Sequence, residues 1–182
     1  MSGGSPADVV GFWRDAGNAK WFGGGEAFDA ECAARFHDLH FAAARRELDA
    51  WRGSAEGALA LLVLLDQVPR NLFRGSGHAF ATDPLALQVA GLALDAGHDA
   101  AFADEPGLRG FFYLPFEHSE AIADQDRSVA LFTALGDPEY LEYAHAHREV
   151  IVRFGRYPHR NAALGRVNTP DEQAWLDAGG GF

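Results

Sequence analysis

Two segments of the chain combine side chains that could bind an anion or transfer a proton. In the first, an apolar helix runs into Asp66, Gln67, Arg70 and Asn71. The second, residues 147–166, contains five arginines, two histidines and a single acidic residue. Guanidinium groups bind phosphates and carboxylates through paired hydrogen bonds, and imidazole changes its charge near neutral pH. The two segments together predict a polar site between helices.

Helical spacing carries several polar side chains toward the interior. On predicted helices 116–135 and 138–156, His118, Gln125 and His147 each share a stripe with apolar residues. Buried polar groups need hydrogen-bond partners, because each one left unpaired costs about 1–3 kcal/mol. We therefore expect these side chains to pair with charged groups that flank the two stripes.

The candidate ligand-binding residues come from these helices and from the two turns that contain proline and arginine. They are Asp66, Gln67, Arg70, Asn71, His118, Gln125, His147, Arg153, His159, Arg160 and Asn161. Arg70, Arg153 and Arg160 would contact an anion, because their planar guanidinium groups fit phosphate or carboxylate. The two helix histidines and Asn71 would set its orientation. Bracing of acidic residues in the same chain is the structural alternative for the arginines.

A catalytic role needs an acid or a base with a partner that orients it. His118 and His159 are the candidate acid or base, and Asp66 or Glu117 would orient it. Asp66 has a simpler interpretation as well, because it ends an apolar helix and could form a salt bridge with Arg70 that braces the turn. The sequence leaves open whether the protein is an enzyme.

Composition narrows the partners and the location. The formal charge of −11 disfavours nonspecific binding to nucleic acid or anionic membranes, since both attract positive surfaces. The longest apolar run, 58–65, is far shorter than a membrane span, and the N-terminal residues lack the pattern of a secretion signal. A single cysteine, Cys32, fits a reducing compartment. We expect a cytoplasmic protein without nucleic-acid or membrane partners.

Neither a metal nor a cofactor is expected. Glu142 and His145 have the spacing of a di-iron ligand pair, but the second such pair that a di-iron site requires is absent from the sequence. Glycine-rich nucleotide-binding motifs are also absent. The expected partner is a small anionic molecule or an acidic peptide, and the oligomeric state stays open.

Helices must position these side chains, because alternating patterns typical of strands are absent. The predicted helices are 6–16, 26–51, 55–67, 83–96, 106–114, 116–135, 138–156, 159–165 and 170–178. The connections are short, so consecutive helices should pack as antiparallel hairpins. The prediction is an all-α protein that forms a single domain over residues 1–182.

Four segments resemble a known family. They are residues 65–75, 113–120, 124–125 and 153–161, and the similarity extends nearly from end to end. These strings resemble the bacterial "domain of unknown function 924" family. The resemblance implies an all-α fold of the tetratricopeptide-repeat-like helical superfamily, with no established activity. Members of that family often have methionine where this chain has Glu117, which implies that a catalytic glutamate at this position is not a shared feature.

Three functions follow from these observations. The leading one is noncatalytic binding of a small anionic ligand or an acidic peptide in an interhelical cleft lined by arginine and histidine. The second is a hydrolase-type enzyme that uses a buried histidine and aspartate in the same cleft. The third is a scaffold for protein–protein interaction, with the arginines buried in salt bridges.

Overall fold

Capping residues set the ends of the longer helices. The computed structural model describes residues 4–182, and all regular secondary structure in that range is helical. α1 (Pro6–Ala16) and α11 (Pro170–Asp177) each begin with a capping box, in which Ser5 or Thr169 bonds the backbone of the third helical residue. The all-α fold predicted from the sequence is confirmed.

The other helices differ widely in length. They are α2 (Asn18–Trp21), α3 (Gly25–Ala44), α4 (Ala55–Leu62), α5 (Val68–Leu72), α6 (Asp83–Asp95), α7 (Pro106–Arg109), α8 (Leu114–Glu117), α9 (Ile122–Leu135) and α10 (Pro138–Phe154). Short 3-10 turns lie between them at Asp49–Gly53, Gly77–Phe80, His98–Phe102, Gly110–Phe112 and Pro158–Arg160.

The predicted helix 116–135 is in fact divided. Its first turn belongs to α8, and α9 begins only at Ile122. Between them Ala121 adopts an extended conformation, and its N–H donates to the side chain of Ser119 at 3.2 Å. His118 therefore follows α8 instead of lying on the buried stripe of α9. The helical phase was wrong for this residue, although its side chain is still largely buried.

Other predicted helices are also shorter than expected. The predicted helix 26–51 ends at Ala44, and shortly afterwards Arg46 has a left-handed φ of 66°. The predicted helix 159–165 is only a 3-10 turn, and 106–114 divides into α7 and a 3-10 turn.

A π turn joins α4 to α5 and forms the last part of the predicted helix 55–67. It spans Val63–Gln67, and the N–H of Val68 bonds the carbonyl of Val63 instead of that of Leu64. Pro69 accounts for this turn, because it has no N–H to donate and its ring cannot approach the carbonyl of Leu65.

Side chains from other elements bind the three carbonyls that the π turn presents. His40 donates to the carbonyl of Leu64, Thr82 to that of Leu65, and Arg70 to that of Asp66. Buried carbonyls without partners would be costly, so these contacts stabilise the irregular turn. The turn in this way fixes the position of Asp66.

The apolar core surrounds α4 and the π turn. Every residue from 57 to 69 is buried. α1 and α6 pack against α4, and α3 packs against α5. α9 packs against α10 across a short connection at Gly136. Consecutive helices thus pair as predicted at α9 and α10, while α3 with α5, α1 with α4 and α4 with α6 are pairs of helices that do not follow each other directly.

Within residues 4–182, every helix is too short or too polar to cross a membrane.

Candidate functional site

A cavity of about 1010 Å³, called the site cavity below, lies between the loop after α2, α5, α8, α10 and the end of the chain. Its polar lining consists of Gln67, Arg70, Asn71, Glu117, His118, His147, His159 and Arg160. Its aromatic lining consists of Trp21, Phe22, Phe80, Tyr140, Tyr143 and Phe182. A cavity of this size, with a few polar groups among apolar walls, suits a small organic molecule.

A carboxylate–histidine pair lies beside the site cavity. Asp66 is only 1% exposed, and its Oδ1 accepts a hydrogen bond from Nδ1 of His118 at 2.7 Å. Its Oδ2 accepts from Nε2 of Gln67 at 2.6 Å. Within residues 4–182, Nε2 of His118 has no hydrogen-bond partner, and it is not sealed from solvent. The pair therefore leaves one imidazole nitrogen open to the cavity.

The surroundings keep Asp66 ionised and His118 neutral at neutral pH. Burial favours a higher pKa for Asp66, but its contacts with His118, Arg70 and Gln67 lower the pKa by more, and the result lies below the usual value. Burial and the charge of Arg70 lower the pKa of His118, against the opposing effect of Asp66. A neutral imidazole that donates from Nδ1 has its lone pair on Nε2.

Asp83 holds two arginines at the wall of the cavity. Its carboxylate accepts two hydrogen bonds from Arg70, both at 2.9 Å, and one from Nη1 of Arg160 at 3.2 Å. Nη1 of Arg160 also donates to the carbonyl of His118 at 3.1 Å. One carboxylate thus fixes both arginines, and Arg160 in turn fixes the backbone of His118.

Arg160 lies between two aromatic rings. Its guanidinium carbon is 4.6 Å from the ring centre of Phe80 and 4.5 Å from that of Tyr157. Its Nε is buried and has no hydrogen-bond partner among the described residues. Stacking of this kind orients a guanidinium group.

Glu117 and His147 form a second pair of titratable groups. Oε1 of Glu117 lies 3.4 Å from Nδ1 of His147, which donates to the carbonyl of Tyr143 at 2.8 Å. Burial and the charge of Asp66 raise the pKa of Glu117 to about 8, so its carboxyl group is protonated at neutral pH. Burial lowers the pKa of His147 to about 3 and that of His159 to about 4.

The charges around the site cavity do not favour an anion overall. Arg70 and Arg160 are balanced by Asp66 and Asp83, while Glu117 and the histidines are neutral at pH 7. The remaining charged lining residues are Lys20, Arg74, Glu26, Asp29, Asp137 and Glu139. Because these acids outnumber the two cations, the cavity carries a negative excess.

Gln125 is deeply buried but lies outside the site cavity. Its Nε2 is 2.6 Å from the carbonyls of both Glu117 and Ser119, and 2.8 Å from the hydroxyl of Tyr157. These contacts hold the turn between α8 and α9, and with it the backbone next to His118. The structure therefore gives Gln125 a positioning contact in place of the predicted ligand contact.

Two other candidate residues also lie away from the cavity. Arg153 is exposed on α10, with its guanidinium carbon 4.6 Å from the ring centre of Phe154. Asn161 is buried and donates to Asn168 at 2.8 Å. Arg153 therefore does not lie with Arg70 and Arg160 at the wall of the cavity.

Gln67 and Asn71 do line the cavity, and both have protein partners. Gln67 donates to Asp66, and Nδ2 of Asn71 donates to Asp29 at 2.7 Å. Their amides therefore shape the wall and anchor carboxylates.

Sequence reasoning missed several residues that shape the site. Asp83 is the first residue of α6, and its carboxylate binds the two arginines. Trp21 and Phe22 line the cavity, and Phe22 is 58% exposed there. The tertiary fold brings these residues to the site, and their spacing in the sequence does not predict that they lie near one another.

Residues 4–182 contain no group of three or more histidine, cysteine, aspartate or glutamate side chains placed to hold a metal ion. The nearest approach to such a site is the pair His40 and His78, whose Nε2 atoms lie 3.4 Å apart. Two nitrogens without a third ligand are too few for a protein metal site.

Comparison with known proteins shows a similar solved structure and a matching family. A family model described as "bacterial protein of unknown function (DUF924)" matches residues 9–180. The structure of ATU0120 from Agrobacterium tumefaciens, a protein of unknown function, shares 52% sequence identity with this chain. It aligns over 95% of this chain and 97% of its own length, with a TM-score of 0.91. No curated protein sequence matches significantly.

Proposed function

The chain belongs to the DUF924 family of bacterial proteins of unknown function, and we propose that its site cavity is the active site of a hydrolase-type enzyme. The observation that carries this proposal is the 2.7 Å hydrogen bond between Asp66 and Nδ1 of His118, with Nε2 open to the cavity. An ionised carboxylate that fixes the tautomer of a neutral histidine is the arrangement that general-base catalysis requires.

The chemistry follows from this orientation. Nε2 of His118 takes a proton from a water molecule in the cavity, and the resulting hydroxide attacks the carbonyl carbon of the substrate. The tetrahedral intermediate then collapses, the bond between the carbonyl carbon and the leaving group breaks, and the imidazolium returns its proton to the departing group, so His118 ends the cycle neutral. Asp66 stabilises the transient positive charge without becoming protonated, because its pKa lies well below that of imidazole.

Charge balance favours a small substrate without a strong negative charge. Two arginines and two aspartates cancel near His118, and the other lining residues are more acidic than basic. Substrate binding would rest on the aromatic lining and on a few polar contacts. His159 lies on the same cavity, but it has no carboxylate partner within hydrogen-bonding distance among residues 4–182, so His118 is the better candidate for the base.

Noncatalytic binding of a small ligand with a carboxylate or phosphate group is the second candidate. One observation favours it, since Nε of Arg160 is buried and unpaired in the described part of the chain. An anionic oxygen that reached this edge would satisfy it. In this alternative, Arg70 and Arg160 bind the anion, and the histidines orient it.

A tetratricopeptide-repeat-like interaction scaffold is the third candidate, and the salt bridges of Arg70 and Arg160 are consistent with it. A scaffold, however, does not require an imidazole nitrogen oriented toward a cavity. Both the hydrolase and the ligand-binding protein would use an imidazole nitrogen that faces the cavity. Only the hydrolase would also use the hydrogen bond between that imidazole and Asp66.

Hydrolysis of 4-nitrophenyl acetate tests the proposal, because this activated ester needs a base more than it needs specific binding. We expect His118→Gln and Asp66→Asn to lose about 10²–10⁴-fold of the protein-catalysed rate. His145→Gln is the matched control, since His145 is exposed on α10 and any histidine could contribute nonspecific hydrolysis. A wild-type rate equal to that of buffer, or a His118→Gln rate equal to wild type, would refute the enzyme proposal.

A further inference from the structure

Three large aromatic side chains remain unusually exposed around the site cavity. Phe22 is 58% exposed, and Tyr143 and Phe182 are each 52% exposed. All three line the cavity. Large apolar groups gathered in this way at a concave surface mark a place where a ligand covers them.

Phe182 already occupies part of this surface. Its ring stacks on the imidazole of His147, with centroids 3.6 Å apart and planes inclined by 12°. The ring is perpendicular to Tyr157 at 6.3 Å and nearly perpendicular to His159 at 5.7 Å. The two edge-on contacts have the geometry that aromatic pairs prefer, and the contact with His147 covers one face of the ring.

The three rings that contact Phe182 are held in place by other groups. His147 donates to the carbonyl of Tyr143, and Tyr157 is fully buried with hydrogen bonds to Gln125 and Glu117. These contacts do not depend on Phe182. The surface that receives its ring is therefore preformed.

Phe182 itself is attached much more loosely. The last backbone hydrogen bond of the tail runs from Gly180 to Trp175 at 2.9 Å, and Gly181 and Phe182 make none within residues 4–182. Gly181 has a φ of 146°, a conformation that side-chain-bearing residues rarely adopt. Among residues 4–182, ring contacts and not hydrogen bonds hold Phe182 in the cavity, so a ligand that displaces it breaks no hydrogen bond with these residues.

We infer that His147, Tyr157 and His159 form a subsite for an aromatic ring, and that Phe182 of the chain's own tail occupies it until a ligand with an aryl group displaces it. The inference rests on the proposed site cavity and names the substrate class, which is an uncharged aryl compound. The ring of His147 lies 6.3 Å from that of His118. An aryl group in the subsite would therefore place a carbonyl attached to it near the open nitrogen of His118.

Binding of two matched neutral probes tests the subsite. Benzamide has a flat ring, and cyclohexanecarboxamide has the same polar group on a puckered ring. Histidine ring signals in NMR titrations report binding at His147 and His159. We expect Phe182→Ala to bind benzamide about three- to tenfold more tightly than wild type, because the competing ring is gone. Both proteins should prefer benzamide to cyclohexanecarboxamide.

Val167→Ala is the matched control, because Val167 is 87% exposed and lies outside the cavity. Its benzamide affinity should equal that of wild type. Equal affinities for benzamide in wild type and Phe182→Ala, or equal binding of the two probes, would overturn the inference. The titration is repeated with His118→Gln, whose benzamide binding should persist. Failure of the aryl subsite is thereby distinguished from failure of the catalytic proposal, which depends on His118.

Discussion

Burial sets the protonation of three titratable side chains at the site cavity, Glu117, His147 and His159. It raises the pKa of Glu117 to about 8 and lowers the pKa values of His147 and His159 to about 3 and about 4. All three groups are therefore neutral at pH 7. Asp66 is buried as well, but its contacts with His118 and Arg70 lower its pKa, so it remains charged.

The raised pKa of Glu117 predicts a specific loss of stability in alkaline solution. The native carboxyl group keeps its proton up to about pH 8, whereas the unfolded one releases it near pH 4.5. The free energy of unfolding therefore falls as the pH rises between these values, by on the order of 1 kcal/mol per unit, and levels off above them. In Glu117→Gln this contribution is absent, so the variant should gain stability relative to wild type as the pH rises from 5 to 8.

Urea denaturation at several pH values measures this difference. Glu142→Gln is the control for the substitution itself, because Glu142 is exposed on α10. The buried histidines contribute in the opposite sense. Their lowered pKa values remove stability as the pH falls below about 6.5, in wild type and variant alike. A constant stability difference between Glu117→Gln and wild type from pH 5 to pH 8 would contradict the prediction.

At the residue scale, the sequence indicated which side chains are polar and buried, but not which ones face each other. His118, His147, Arg70 and Arg160 all line the site cavity. Arg153 does not, because its side chain is exposed on α10 outside the cavity. Helical spacing specifies how side chains are oriented relative to one another on one helix, but not which elements those side chains face.

At the element scale, the π turn at Val63–Gln67 links the fold to the site. It places Asp66 and Gln67 at the cavity and depends on side chains that bind its carbonyls. π turns within helices recur at functional sites, where they reorient side chains. Pro69 was visible in the sequence, and the helix was expected to end before it. In the structure the helix continues through the π turn into α5. This continuation depends on hydrogen bonds from His40 and Thr82, which are distant in sequence.

Thr82→Val tests the dependence of the π turn on its partners. The substitution conserves shape but removes the hydroxyl that donates to the carbonyl of Leu65. Pro69 has no N–H that could replace it, so a buried carbonyl loses its partner at a cost of about 1–3 kcal/mol. Urea denaturation measures the loss.

Thr133→Val is a matched control, because Thr133 also donates to a backbone carbonyl but lies on the exposed face of α9. The carbonyl of Val129 retains its helical partner there, so the change in stability should stay within about 0.5 kcal/mol. Equal costs for the two substitutions would show that the hydroxyl of Thr82 does not support the π turn.

At the scale of the whole molecule, the basic segment 147–166 meets acidic residues of the same chain. Arg166 binds Glu120 at 2.8 and 2.9 Å, and Arg156 binds Glu172 at 2.6 and 2.8 Å. The uneven distribution of charge in the sequence therefore reflects internal pairing. The signs of the charges in the sequence predict that arginines of this segment pair with acidic residues. They do not predict which arginine binds which carboxylate, because several acidic residues could pair with each arginine.

These ion pairs connect a small apolar cluster to the main core. The cluster contains Val150, Ile151 and Tyr157, with Phe154 and Trp175 packed against it. Tyr157 donates to the carbonyl of Glu117 and accepts from Gln125, so it joins the cluster to α8 and α9. Because losing the cluster would leave these buried groups unpaired, the two parts should unfold together.

We therefore expect a single urea transition for the whole chain, as one domain over residues 1–182 would give. Far-ultraviolet circular dichroism follows the helices, and tryptophan fluorescence follows Trp13 in the main core and Trp175 in the small cluster. The two signals should give coincident curves in wild type and in Trp175→Phe, whose fluorescence reports the main core without the cluster. An earlier fluorescence transition that disappears in Trp175→Phe would instead show that the small cluster unfolds on its own, and that the arginine–carboxylate pairs hold two separable units together.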